Sequence, residues 1–148
     1  MLVQTLKTLF RRDLEKLKLE ISLYKDESKI WYIEKGIANS AGNLCLHLIG
    51  NLNTYIGAEY GKTGYVRHRD LEFSLKNIPR AELVAKIEET TAVVEKGLSA
   101  LTDDQLAEDY PILVFDKPTS TEYYLVHTAM HLTYHLGQIN YHRRLLDT

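Results

Sequence analysis

The sequence predicts an all-α fold, a four-helix bundle with long connections between helices 2 and 3 and between helices 3 and 4. Three observations carry this expectation. Apolar residues recur at helical spacing in four separate stretches of the 148-residue chain. Only residues 30–35 and 111–115 read as extended, too short and irregular to argue for a sheet, although an α+β arrangement built on them is the alternative. No repeat, low-complexity tract or linker divides the chain, so residues 1–148 read as one domain.

The first helix runs from Leu2 to about Lys25, with Leu2, Leu6, Leu9/Phe10, Leu14, Leu17 and Ile21 on one face and charged residues on the other. Asp26-Glu27-Ser28 breaks it, and Lys29 to Gly36 fits either an extended segment or a short helical turn. A second helix starts at Ser40 as N-cap and runs to about Tyr60, turning Leu44, His47/Leu48, Leu52 and Tyr55/Ile56 inward. Gly42, Gly50 and Gly57 lie along it. Each costs roughly 1 kcal/mol against Ala in a helix interior, so close packing is the expected compensation.

The glycine-punctuated, charged stretch Gly61 to Asn77 is the first long connection. Pro79 suits the first turn of a third helix, striped by Leu83, Ile87, Val94, Leu98 and Leu101. Thr102 and Gln105 have capping-box spacing for one further turn. After Asp109 to Lys117, Thr119 as N-cap with Glu122 reaching back starts the last helix, which runs to about Leu146.

Composition narrows the function. Hydrophobic content of 45%, charged content of 26% and a net charge of −2 are those of an ordinary globular protein. No basic run points to nucleic acid or an anionic membrane. The interrupted N-terminal stripe is not that of a signal peptide, and no segment has the apolar length of a membrane span. The single cysteine, Cys45, forms no internal disulfide and fits a reducing compartment. A cytoplasmic protein is expected.

The chemistry sits in HTAMHLTYHLGQI, residues 127–139, where His127, His131 and His135 recur every fourth residue and His142 follows. At ~100° per residue, with His127 at zero, Gln138 falls near ~20°, His131 near ~40°, His142 near ~60° and His135 near ~80°. All share one stripe, which is also the expected buried one. Histidines at i and i+4 place two imidazoles on one ion, though the HExxH motif is absent and no glutamate stands between them. A catalytic zinc site wants three protein ligands and an open position. His47, midway along the second helix, is the candidate for the third. Neutral imidazole suits Zn, Ni, Fe and Cu alike. The competing reading is a histidine-rich core face without an ion.

Other residues read more plainly. Cys45 lies ~200° round the helix from His47, which assigns it to the core. Tyr134 points ~100° away from its histidine neighbour. The run RHRD, Arg67 to Asp70, reads as a solvated loop with His68 exposed, and alternatively as an anion contact at the mouth of the bundle. Glycine-rich phosphate loops, paired catalytic carboxylates and a Ser-His-Asp arrangement are not visible.

HTAMHLTYHLGQI and GNLCLHLIGNL resemble, respectively, the last-helix HxxxHxGQ signature and the histidine-bearing second helix of the DinB-like superfamily. The likeness spans nearly the whole chain, and GKTGYVRHRDLEFS is similar to a largely uncharacterised branch. The resemblance implies an up-down-down-up four-helix bundle, dimeric, with a divalent transition metal (Zn, Ni, Fe or Mn) on His47, His131 and His135. It makes His127 an extra residue near the site. Members with a known activity include transferases for bacillithiol, mycothiol or glutathione and a mycothiol-dependent isomerase. In them the metal is thought to hold a low-molecular-weight thiol as thiolate. Leu136 stands where many members carry Arg, which leaves the thiol's identity open.

The resulting expectation is a cytoplasmic, homodimeric metal-dependent thiol S-transferase acting on an electrophilic small molecule. His127 and Asn51, one turn from His47, are the further candidates for contacts near the site. A metal-dependent hydrolase is the runner-up, and a non-catalytic metal- or ligand-binding dimeric bundle the third reading. A nucleic-acid role has no support.

Overall fold

The computed structural model describes residues Met1–Thr148 and is all-helical, without strands. Helix α1 is Leu2–Leu23 and buries Leu6, Phe10, Leu14, Leu17 and Ile21, most of the stripe read from the sequence. A 3₁₀ turn, Glu27–Trp31, takes only the start of the Lys29 to Gly36 segment, with Tyr32 after it extended, and it drops Ile30 and Trp31 into the core. Helix α2, Ala41–Leu52, begins at Ser40, whose hydroxyl accepts from the Asn43 amide. It continues without a break through a π-helical Asn53–Ala58 and a last turn, Glu59–Gly61.

The long connection contains a short helix, α3 (Arg69–Ser74), where the glycines and charges predict only loop. Helix α4 is Arg80–Ser99, with Leu83, Ile87, Val94 and Leu98 buried as expected. Thr102 and Gln105 exchange the expected hydrogen bonds ahead of a 3₁₀ turn, Asp104–Ala107. Helix α5 is Thr121–Leu146, and its N-cap is Ser120 rather than Thr119. The slip has a cause: Thr119 is held by its carbonyl, which accepts from Tyr110, so the next residue turns into the helix. Residues 111–115 form no strand, and one isolated bridge, Asp109 to Ser120, closes the base of their loop.

Side-chain pairs along the helices give their relative directions. Arg11 with Glu95 and Lys18 with Glu88 run α1 against α4. Asp13 with Thr133 and Glu20 with Asn140 run α1 alongside α5. His47 with His131 and Tyr55 with Tyr124 run α2 against α5. Asn53 with Thr90 and Gly57 against Val93 run α2 alongside α4. Helices α1, α2, α4 and α5 feed one buried cluster, to which α2 contributes Leu44, Leu48, Leu52 and other residues from Ala41 onward.

Helix α2 is therefore buried over most of its surface, not along one stripe, because α3, α4, α5 and the Trp31 turn all pack on it. Burying each of its leucines contributes about 1.5–3 kcal/mol, which outweighs the ~1 kcal/mol cost of each glycine. No helix is long and apolar enough to cross a membrane.

Candidate metal centre

His47 projects from the middle of α2, and His131 and His135 from successive turns of α5. Their Nε2 atoms converge: His131 Nε2 lies 3.2 Å from that of His47 and 3.2 Å from that of His135. One ligand nitrogen from each of the three lies within 4.8 Å of the others. Two nitrogens bound to one ion at ~2.0–2.1 Å in tetrahedral geometry stand about 3.4 Å apart, so the spacing suits a shared cation.

The outer nitrogens fix the tautomers. His47 Nδ1 is 3.0 Å from the Glu72 carboxylate, and His135 Nδ1 is 2.7 Å from the Gln138 side-chain oxygen. Both partners are acceptors, so both Nδ1 atoms carry the proton and both Nε2 atoms present lone pairs to the same point. A single N–H on His131 satisfies at most one of them well. His131 Nδ1 itself is buried with no hydrogen-bond partner. Burial, then the neighbouring His135 and His47, push the His131 imidazolium down to about 4. Burial also lowers His135, against the hydrogen bond that its Nδ1 donates to Gln138. These rings stay neutral at pH 7, which is the metal-binding form.

The support beneath His47 comes from the long connection. Glu72 is only 6% exposed and accepts two hydrogen bonds from Arg67, of 2.8 and 2.9 Å, besides facing His47. Burial alone raises a carboxyl, but the bonds to His47 and Arg67 outweigh it and hold Glu72 below the usual carboxylate range. The backbone of α2 leaves room for this carboxylate, since a Cβ on Gly50 would overlap it. Asn43 then clamps α3 in place, its amide donating to the carbonyls of Glu72 and Leu75 at 2.9 and 2.8 Å.

On one side of the histidines lies a polar cavity of about 200 Å³, lined among others by Asn51, Arg67, Arg69, His127 and Thr128. Asn51 Oδ1 is buried there without a partner. His127 lines the cavity but is exposed and stands apart from the converging nitrogens, its ring held between Phe115 and Tyr124. His135 forms part of the wall of a second, larger cavity of about 710 Å³.

Two expectations are corrected. His142 shares the angular stripe yet takes no part in the site: it is buried against Tyr24 and the Tyr32 carbonyl. The buried face of α5 is instead Tyr124, Leu125, Thr128, Leu132, Leu136 and Ile139, so the converging histidines sit on its flank. Arg67 is not solvated loop but half-buried and ion-paired, whereas His68 is exposed as expected. Cys45 is fully buried, and burial pushes its thiol up to about 12, consistent with core packing. Glu72 was missed altogether. The available signal was Gly50, one turn from His47, marking a place where something must approach α2 closely.

Among known proteins, no curated protein matches this chain. A family model described as "Protein of unknown function (DUF1572)" matches residues 2–148, nearly the full length that carries the histidine-bearing helices and the connection between them. The chain belongs to the DUF1572 family.

Proposed function

We propose that this protein is a divalent-metal-dependent enzyme of the thiol S-transferase type, a DinB-like bundle with its helices in up-down-down-up order. The carrying observation is the convergence of three Nε2 atoms whose lone pairs the protein's own donors do not all satisfy. The helix directions given by the side-chain pairs support the topology, and membership of a family matching the whole chain is compatible with it. It works in the cytoplasm as a homodimer, on a small-molecule electrophile, with a low-molecular-weight thiol as second substrate.

His47, His131 and His135 would hold the ion. A bound divalent cation stabilises a thiolate by its charge, as it does hydroxide, and so lowers the pKa of a thiol at the open position. The chain's residues do the rest. Glu72 and Gln138 keep two imidazoles in the tautomer that presents a lone pair inward. Arg67 and Arg69 line the polar cavity and favour an anionic group on the thiol. Asn51 Oδ1 offers an acceptor to a donor group on the same molecule.

The thiol reading is preferred over hydrolysis because Glu72, the carboxylate nearest the nitrogens, is occupied by Arg67 and His47. It is not free to act as a general base on water. Elemental mass spectrometry of the purified protein beside His47→Ala tests the centre: about one transition metal per chain, lost in the variant, is expected. Electrophile turnover that requires added thiol then supports transfer, and turnover without thiol overturns it in favour of hydrolysis.

A further inference from the structure

The converging histidines line two unlike spaces, His47 and His131 one and His135 the other. The small one carries two arginines, whereas the large one, between the Glu34–Asn39 loop and the C-terminal half of α5, is chiefly apolar. Ile37, Leu44, Tyr134, Tyr141 and Leu145 line it, and its only oppositely charged wall residues, Glu34 and Lys35, offset each other. Its volume of about 710 Å³ falls in the ~300–1,000 Å³ range of small-molecule sites.

We propose that this cavity binds the apolar body of an uncharged organic molecule, with its polar end directed to the side-chain amide of Gln138, beside His135. The assignment deepens the transfer reading and rests on it for calling that molecule the electrophile; the binding itself does not. The apolar side chains at the mouth argue for this class. Tyr134, Tyr141 and Leu145 are 65%, 65% and 69% exposed, so water covers apolar surface that a ligand would release. A charged ligand gains nothing there, since it would lose hydration against walls without a compensating charge. The groove between α1 and the first half of α5 is also apolar, but none of the converging histidines lines it.

The test is a fluorescence titration with prodan, a neutral naphthalene dye that brightens in apolar surroundings. Leu145→Asp and Ile37→Asp alter exposed residues, and Ala38→Trp fills the cavity from the loop. The expected result is saturable binding of one dye per chain, weakened at least tenfold in all three variants, with unfolding curves and metal content as in wild type. Absence of saturable binding, or undiminished binding in all the variants, overturns the proposal. So does conversion of a dimer to a monomer by Leu145→Asp in sedimentation, which would show that a second copy covers this face. Dye binding by a protein that takes up no metal would sink the metal centre and leave the cavity standing. Metal without dye binding would do the reverse.

Discussion

The last helix carries two kinds of histidine environment separated by about three turns. At His142, Nε2 donates to the Tyr32 carbonyl at 2.8 Å and Nδ1 accepts from the Tyr24 hydroxyl at 2.6 Å, so both nitrogens of a neutral ring are satisfied by protein. At His131, one nitrogen faces two imidazole lone pairs and the other has no partner. Both sites are largely withdrawn from water. What separates a structural histidine from a candidate ligand is thus neither burial nor spacing but whether the donors and acceptors around it balance.

The contrast is broken most severely at the converging nitrogens. His131→Ala should abolish stoichiometric metal, and undiminished metal content in that variant would defeat the assignment. Next comes the support beneath His47: Glu72→Gln loses the charge that holds Arg67 and the preferred tautomer, and should weaken metal affinity about 10–100-fold in a chelator competition. Gly50→Ala should reproduce that loss, because the added methyl displaces the same carboxylate. If Gly50→Ala binds metal like wild type, Glu72 does not act through its position.

At the balanced end the effect moves to stability. Tyr24→Phe leaves His142 Nδ1 buried without its donor and should cost about 1–3 kcal/mol in urea unfolding, with metal content unchanged. The smallest effect is a pH dependence. Burial lowers the His142 imidazolium pKa, partly offset by the Tyr32 carbonyl. The folded state then binds fewer protons than the unfolded one, so this histidine's contribution is full above the unfolded pKa, about 6.5, and declines as pH falls. The stability advantage of wild type over His142→Phe should therefore narrow from about pH 7 to about pH 5. An advantage that grows on acidification would show that the ring is charged in the fold.

Most of the helical scaffold was legible because its signals are local. The stripes of α1 and α4, the Ser40 cap and the Thr102–Gln105 pair depend on residues within a few turns of one another. The three converging histidines were legible as well, once the helices were placed. The orientation of α5 was not, since the exposed Met130, Tyr134, Tyr141 and Leu145 make its outer face nearly as apolar as its buried one. Periodicity finds stripes but does not say which one a neighbour covers. Glu72 escaped for a different reason: a glutamate in a charged connection looks solvated until its tertiary partners, Arg67, His47 and the gap at Gly50, are known.

The donors come from residues 84 positions apart in sequence, so an unfolded chain has no equivalent set. Any ion taken up there belongs to the folded state alone and works as a removable cross-link between α2 and α5. Mass action then ties thermal resistance to free metal: at 100 times the dissociation constant the added stability is about 2.7 kcal/mol. The melting temperature should climb with metal concentration and fall back on chelation. On this account, a cell's supply of the metal would govern how long the protein survives.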